Sequence, residues 1–275
     1  MQRKTLEPDH PQLARTLSDL GYVYYILGRY MEAEPLYRRA LAILEKAGKT
    51  HESDAAITLN KLGELYRVEG RPGEAERLWK RAIEMWEAIL GPEHPILAAA
   101  LNNLGMLYSD QRRLEEAEVL FLRALALEQK AFGVEHPDGA RIMNNLAGIC
   151  QRRRQYAGAE EMYRRVLAIQ EKKLGAEHVE VGRTLNNLAR AYFSEGRYAE
   201  AESLYLRAIA IQEKSLGRVH PDVAATLFNY ADLLRQEHRK AEVRRVTNRA
   251  RAIDARSLTE RSAQQTVSYE DLRQK

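Results

Sequence analysis

Hydrophobic and polar positions recur along this chain with a period of 42 residues, the distance from Gly28 to Gly70. The segment GRYMEAEPLYRRALAI begins at Gly28 and returns as GRPGEAERLWKRAIEM at Gly70. Further copies begin at Arg112, Arg154 and Gly196, and a poorer sixth copy begins near His238. Periods of 20 to 50 residues are typical of stacked supersecondary units. The pattern therefore predicts a repeat architecture.

Within each copy, the apolar residues are spaced by 3, 4 and 7, which places them on one face of each of two helices. A leucine column contains Leu20, Leu62, Leu104, Leu146, Leu188 and Tyr230. A small residue follows each of these, namely Gly21, Gly63, Gly105, Ala147, Ala189 and Ala231. On the second helix an aromatic column contains Tyr37, Trp79, Phe121, Tyr163 and Tyr205. We expect the small residue to let two helices approach closely while the aromatic ring fills the space beside it.

Glycine and proline mark the predicted helix ends. Gly91, Gly133 and Gly217 are expected to end helices in a left-handed conformation, and Pro95, Pro137 and Pro221 to occupy the first turn of the next helix. These signals predict six units over 10–257, divided as 10–50, 51–93, 94–135, 136–177, 178–219 and 220–257. Residues 1–9 are interpreted as the remnant of a preceding second helix, because Gln2–Pro11 aligns with Gln212–Pro221. Residues 258–275 lose the repeat and are expected to form a polar, flexible tail or a short exposed helix.

The Leu-Gly, Tyr, Ala and aromatic columns resemble the tetratricopeptide repeat. The 42-residue unit, the LNNLG or LNNLA segment and the EHP connector are more similar to the kinesin light chain subclass. The resemblance covers about residues 10–255, although Val243 and Thr247 depart from it in the last unit, as suits a polar terminal cap. It implies an all-α, right-handed α-solenoid of antiparallel helix pairs. It also implies a scaffold that binds a protein or peptide in a concave groove lined by the first helices.

Composition and charge narrow the functional classes. The net charge is +4, and Lys and Arg alternate with Glu in every unit, which indicates solvated helix faces and disfavours nucleic-acid binding. The single cysteine, Cys150, replaces a column tyrosine and is interpreted as a core residue. We expect neither an enzyme nor a bound cofactor or metal, because the phosphate-loop, GxSxG and HExxH motifs are missing from the sequence. No apolar run suits a membrane span or signal peptide, so a cytoplasmic location is expected, with export left open if the N-terminus is truncated.

The most regular polar column of the first helices predicts a binding site. It contains Asn103, Asn145, Asn187 and Asn229, and each of the first three follows another asparagine. Asparagine disfavours the helix interior, and its amide can donate and accept hydrogen bonds to an extended peptide backbone. In similar repeats an asparagine of this segment does bind peptide backbone. The preferred interpretation is that the second asparagine lines the groove; the alternative is that one of each pair bridges adjacent repeats.

Arginines surround the asparagines of the fourth and fifth units. Arg141, Arg183 and Arg190 are expected to form the most basic part of the groove and to favour a partner with acidic character, unless they are simply solvated. Two other functions stay open, namely a structural or regulatory segment of a larger protein and, less favoured, an RNA-binding repeat. The oligomeric state is left open.

Two further columns have structural interpretations. The Arg39, Arg81, Arg123, Arg165, Arg207 and Arg249 column is expected to form ion pairs between repeats with the Glu34, Glu76, Glu118, Glu160 and Glu202 column. The connector histidines are expected to shape loops, because a whole repeat separates them and zinc ligands lie about 2 Å from the metal. They are His10, His94, His136, His178 and His220.

Overall fold

The structure, a computed structural model, describes the backbone of residues 9–273 and the side chains of residues 9–256. All the regular elements in this range are helical, apart from turns, and about 84% of the chain is in helices. A 3-10 turn covers Lys49–His51. The α-helices are α1 (Pro11–Ile26), α2 (Tyr30–Ala47), α3 (Glu52–Val68), α4 (Pro72–Leu90), α5 (Leu97–Asp110), α6 (Leu114–Phe132), α7 (Pro137–Arg152), α8 (Tyr156–Leu174), α9 (Val179–Ser194), α10 (Tyr198–Leu216), α11 (Pro221–Gln236) and α12 (Lys240–Arg273).

Each odd-numbered helix is joined by a short turn to the even-numbered helix that follows, and the two form an antiparallel pair. The chain is divided into two compact units, residues 1–131 and 132–275, each built from such pairs. Within each unit the second helix of a pair also packs on the first helix of the next pair, as α2 does on α3 and α8 on α9. The predicted all-α solenoid of helix pairs is confirmed.

The small and aromatic columns meet in the core of each pair. Trp79 is fully buried, and its indole nitrogen donates to the main-chain oxygen of Asn60 at 3.2 Å. A Cβ added at Gly63 would stand 2.7 Å from that nitrogen, so the glycine leaves the space that the indole fills. In the second unit, Ala189 and Tyr205 hold the corresponding positions and are both fully buried.

The glycines between pairs adopt a conformation that differs from the predicted left-handed cap. Gly91 has φ 86° and ψ 161°, and Gly217 has φ 89° and ψ 157°. These angles lie in a region that essentially only glycine occupies, in which the chain becomes extended immediately after the helix. Pro137 and Pro221 begin their helices as predicted, whereas Pro95 lies two residues before α5 in a turn closed by the Leu97 nitrogen and the His94 oxygen at 3.2 Å.

The turn inside each pair requires positive φ. Gly28, Gly70 and Gly196 supply it, with φ between 73° and 79°. Arg112, Arg154 and His238 hold the same position with φ of 65°, 62° and 61°. Side chains with a Cβ are disfavoured there, so the turn geometry of these three repeats is imposed by the packing of the two helices.

The chain ends bear on two predictions. The proposed remnant over 1–9 lies outside the described residues except for Asp9. The backbone of α12 continues to Arg273, so most of the 258–275 segment is helical; its flexibility stays a prediction, as does the division into six units. Within the described range, none of the helices is both long enough and apolar enough to cross a membrane.

Candidate peptide-binding surface

The two asparagine columns are joined by hydrogen bonds between consecutive first helices. Asn187 Nδ2 donates to Asn144 Oδ1 at 3.4 Å, and Asn229 Nδ2 donates to Asn186 Oδ1 at 2.9 Å. In the first unit Asn103 Nδ2 donates to Asn60 Oδ1 at 3.3 Å. The bridging that was the alternative interpretation therefore occurs, and it joins an asparagine of the second column to one of the first column in the previous repeat.

These bridges leave hydrogen-bonding capacity on the second asparagine. An amide offers two donors and one carbonyl oxygen, and the bridge uses a single donor. Asn103, Asn187 and Asn229 are half-buried, and none makes another side-chain hydrogen bond to a described residue. The same side chain can thus link two repeats and offer its carbonyl oxygen to a ligand. Asn145 is the residue of this column on α7.

Arg183 is already held by two acidic side chains. Its Nε donates to Asp222 Oδ2 at 2.8 Å and its Nη1 to Glu180 Oε1 at 2.6 Å. Burial lowers the pKa of Arg183, but the hydrogen bond and charge of Asp222 more than offset this and leave the pKa raised. Arg15 makes the equivalent bond to Asp54 at 2.8 Å in the first unit. Arg183 therefore links α9 to α11, and its positive charge is balanced by the neighbouring carboxylates.

Arg141 and Arg190 differ in their surroundings. Arg141 Nη2 lies 3.6 Å from Asp138 Oδ1 at the start of the same helix, in an exposed pair. Arg190 is exposed, three residues after Asn187 on α9, and forms no ion pair with a described residue. Of the three predicted arginines, Arg190 has its charge most available to a ligand.

The charge of Arg190 affects the pKa of two core tyrosines. Burial raises the pKa of Tyr163 and of Tyr205, and the positive charge of Arg190 opposes the rise in both. Tyr163 Oη donates to Gln151 Oε1 at 3.4 Å, whereas the buried Tyr205 Oη has no hydrogen-bond partner among the described residues. The Tyr205 hydroxyl is fully buried, so it lies beneath the surface that carries Arg190 and is not exposed to a ligand.

The repeats on either side have different residues at the Arg190 position. Gly148 stands at the Arg190 position one repeat earlier, and a Cβ there would meet only Tyr163 Oη, at 3.8 Å. Asp232 stands at that position one repeat later and pairs with Arg235. We call the patch formed by Asn144, Gly148, Asn187, Arg190 and Asn229 the Arg190 surface. The sequence showed both asparagine columns and the column that contains Gly148 and Arg190. It gave no sign that Gly148 leaves open space beside the Tyr163 hydroxyl, because that tyrosine was interpreted only as a core residue.

Comparison with known proteins decides the family. The family model described as tetratricopeptide repeat matches residues 1–46, 54–127, 97–172, 138–214 and 180–256, which together span most of the chain. The chain belongs to the tetratricopeptide repeat family. No curated protein matches this tetratricopeptide repeat chain.

Solved tetratricopeptide repeat structures share its fold. BtubC (BKLC) from P. vanneervenii superposes with a TM-score of 0.65 at 23% identity, covering 80% of this chain and 89% of that chain. The Podosopora anserina putative kinesin light chain with nearly identical TPR-like repeats gives a TM-score of 0.59 at 29% identity, covering 76% and 99%. A Rap protein complexed with competence and sporulation factor gives a TM-score of 0.61 at 17% identity, covering 89% and 75%. The predicted kinesin light chain-like subclass of tetratricopeptide repeat is confirmed.

The arginine ladder of the repeats pairs differently from the prediction. Arg81 bonds to Glu45, Arg123 to Glu87 and Arg207 to Glu171, at 2.6, 2.6 and 2.5 Å. The predicted partner Glu160 instead binds Arg197, which lies in the turn between α9 and α10, at 2.7 Å. Pairing between repeats was therefore right and the partner column wrong, because each of these arginines bonds to the glutamate 36 residues before it, which is not in the predicted column. Each glutamate also disfavours phosphate binding by its arginine.

The connector histidines cap the first helices of the repeats. His220 Nδ1 accepts from the Asp222 nitrogen at 3.1 Å, and His178 Nδ1 accepts from the Glu180 nitrogen at 3.3 Å. The same bond caps α1 at His10 and α7 at His136. At His94 the imidazole Nδ1 accepts from the Ile96 nitrogen in the turn that precedes α5. The histidines thus shape the connectors by satisfying a main-chain donor at or just before a helix start. Cys150 is half-buried and packs against the apolar cluster of its unit.

Proposed function

We propose that this tetratricopeptide repeat protein is an interaction scaffold whose Arg190 surface binds an extended segment of a partner protein. The half-buried asparagines would hydrogen-bond the main chain of that segment, and Arg190 would take one carboxylate. Arginine suits this role because its planar donors can grip a carboxylate with two bonds. The partner is accordingly expected to carry an acidic residue.

The observation that carries this proposal is the exposed Arg190 without an ion pair to a described residue, three residues after the half-buried Asn187, whose amide keeps a donor and an acceptor to spare. An exposed arginine alone is common on any helical surface. Here the arginine shares a helix with an asparagine that bridges to the previous repeat, and glycine at position 148 leaves the equivalent position of that repeat without a side chain. Arg183, by contrast, is expected to contribute through the packing of α9 on α11.

The test is a selection from a displayed library of random peptides, followed by fluorescence-anisotropy titration of the selected sequences. Arg190→Ala should weaken their binding about tenfold or more, because a hydrogen bond to a charged group is worth about 1.5–3 kcal/mol and 1.4 kcal/mol is a factor of ten. Arg165→Ala is the matched control, since Arg165 is an exposed arginine on the second helix α8.

Circular dichroism should show the same helix content in both variants. Equal affinity of Arg190→Ala and Arg165→Ala for the selected peptides would contradict the proposed surface. Selection of peptides without acidic residues would contradict the assigned carboxylate while leaving the asparagine contacts to be tested by Asn187→Ala.

A further inference from the structure

The helix pair α11 and α12 contains a pocket of about 430 Å³. Pockets of about 300–1,000 Å³ accommodate small-molecule ligands. We call it the α12 pocket, and its lining includes Arg235 of α11 and, from α12, Lys240, Arg244, Thr247, Asn248 and Arg251. None of the described residues that line it is acidic. The pocket is therefore strongly positive.

The same columns are apolar or acidic one repeat earlier. The residues 42 positions before these six are Phe193, Tyr198, Glu202, Tyr205, Leu206 and Ile209. Tyr205 is fully buried and fills its position with a ring, whereas Thr247 is much smaller and half-buried. The loss of the ring leaves room in this pair, and the substitutions around it supply positive charge and hydrogen-bond donors.

Most of the charge in the pocket is available to a ligand. Lys240, Arg244 and Arg251 are exposed, and none of them forms an ion pair with a described residue. The carboxylates close to Lys240 in the sequence are engaged elsewhere, because Glu237 and Glu242 accept hydrogen bonds from Arg239 at 2.9 and 2.7 Å.

The donors form a row along one face of α12. Lys240, Arg244, Asn248 and Arg251 follow one another at spacings of 4, 4 and 3 residues, which places them on one side of a helix. At 1.5 Å per residue the row is about 16 Å long. One anionic group can contact only part of such a row, so a ligand that uses all of it needs at least two.

Phosphate groups suit this row better than carboxylates. Arginine and lysine side chains are donors only, so the ligand has to supply the acceptors. A phosphate monoester offers three acceptor oxygens and a charge of about −1.5 to −2 at pH 7, against two oxygens and a single charge for a carboxylate. The planar donors of arginine also bind phosphate with two parallel hydrogen bonds.

The residue at position 244 disfavours the stacking of a further repeat on this face. Within each unit a glutamate of this column bonds to an arginine of the next pair, as Glu160 does to Arg197 at 2.7 Å and Glu202 to Arg239 at 2.8 Å. Arg244 holds the glutamate position on α12. An arginine from a further pair would be repelled by it, whereas an anion would be attracted.

The path of α12 also leaves the pocket uncovered by the described chain. The helix α10 ends before Gly217, which leads into the next first helix. Thr259 stands 42 residues later in place of that glycine, and α12 runs past it as one helix to Arg273.

We propose that the α12 pocket binds a soluble small molecule that carries two or more phosphate groups. Arg244, near the middle of the row, contacts the phosphates together with Lys240 and Arg251 on either side of it. Thr247 and Asn248 donate to remaining phosphate oxygens. This site is separate from the Arg190 surface and does not depend on the peptide binding proposed there.

The test is isothermal titration calorimetry of the full chain with tripolyphosphate, at an ionic strength of about 0.15 M. We expect saturable binding of one tripolyphosphate per chain. Arg244→Glu should weaken it about tenfold or more, because an anion replaces a cation of the pocket. This variant restores the residue of the other repeats, so its helix content should be unchanged by circular dichroism. Arg251→Ile, which restores the residue at position 209, should also weaken the binding.

The matched control is Arg245→Glu, which makes the same change of charge at the adjacent residue. Arg245 is exposed on α12 and is not part of the pocket lining. Its replacement should alter the affinity for tripolyphosphate by less than about threefold, because salt screens charges outside the pocket.

Three further probes separate the proposed ligand from other anions. They are citrate, a polyglutamate peptide and a single-stranded RNA oligonucleotide, each titrated under the same conditions. We expect each to bind about tenfold or more weakly than tripolyphosphate, because carboxylates and phosphodiesters carry one charge per group and the long chains exceed the size of the pocket.

Several outcomes overturn the proposal. They are no saturable binding of tripolyphosphate, equal losses of affinity in Arg244→Glu and Arg245→Glu, and binding of citrate, polyglutamate or RNA as tight as that of tripolyphosphate. Arg190→Ala should leave the affinity for tripolyphosphate unchanged, so the two proposed sites can fail independently.

Discussion

Trp79 occupies the space that a side chain on Gly63 would need, since a Cβ at Gly63 would stand 2.7 Å from Trp79 Nε1. Gly63→Ala should therefore overpack the contact between α3 and α4. We expect a loss of about 1–3 kcal/mol in the free energy of unfolding, measured by urea denaturation. Gly73→Ala on α4 is the control, because no atom lies within 4 Å of its added Cβ. A stable Gly63→Ala protein would show that the indole can move aside.

The Asn186–Asn229 bridge should couple α9 and α11. Each single alanine variant should reduce the free energy of unfolding by about 0.5–1.5 kcal/mol, the usual net value of a hydrogen bond. The double variant should lose less than the sum of the two single losses, because both remove one bond. Urea denaturation of the four proteins gives this double-mutant cycle. Strict additivity would mean that the bridge contributes nothing to stability.

Glu160 should make stability depend on pH in the acid range. Burial tends to raise its pKa, but hydrogen bonds from Tyr192 and Arg197 and the arginine charges outweigh this and hold the pKa below the ordinary 4.5. The folded chain thus binds this proton less readily than the unfolded chain, and the stabilisation is present above pH 4.5 and lost as the pH falls through the folded-state pKa.

Glu160→Gln should accordingly lower the unfolding free energy at pH 7 and flatten its decline below about pH 4.5. The measurement is thermal unfolding followed by circular dichroism between pH 3 and 7. Glu161→Gln, at the exposed neighbouring residue, should leave the acid decline as it is. If the stability of wild type and of Glu160→Gln declined in parallel as the pH falls, Glu160 would not be a cause of the acid destabilisation.

Arg154 occupies a turn at φ 62°, where other repeats place glycine. Arg154→Gly should raise the stability by up to about 1–2 kcal/mol, because the Cβ that disfavours this conformation is removed. The greater freedom of glycine in the unfolded chain reduces that gain. Arg154→Ala keeps the Cβ and should bring no gain. Chemical denaturation of the two variants separates relief at the Cβ from loss of the arginine side chain.

The helix pairs were predictable because every repeat restates one local pattern. The spacing of Leu188, Ala189 and Tyr205 describes helix faces whose contacts lie within a single unit. The wrong predictions concern the partners of charged side chains in the neighbouring repeat and the exact backbone angles of the glycines between helix pairs. Glu160 of α8 binds Arg197 at the start of α10, and the spacing of residues within one repeat does not reveal which side chains of the next repeat come within bonding distance.

The candidate surface shows the same division. The asparagine columns could be recognised in the sequence because asparagine disfavours the helix interior and yet recurs there in repeat after repeat. Bridging between repeats was one of the two interpretations that the sequence allowed. The different surroundings of the two arginines could not be predicted. Arg183 is paired with Asp222 of the next first helix, whereas Arg190 forms no ion pair with a described residue, and nothing in the sequence of their own helix distinguishes them.

Local chemistry along the chain was thus enough to establish the repeat, the fold class and the positions at which helices begin and end to within a few residues. Packing between repeats settled which charged groups balance one another, which hydroxyl lacks a partner, and that the leucine column is open at Leu20 yet closed at Leu62. The reason is physical: helix formation and pair packing depend on contacts close in sequence, whereas burial and charge balance depend on the neighbouring repeat.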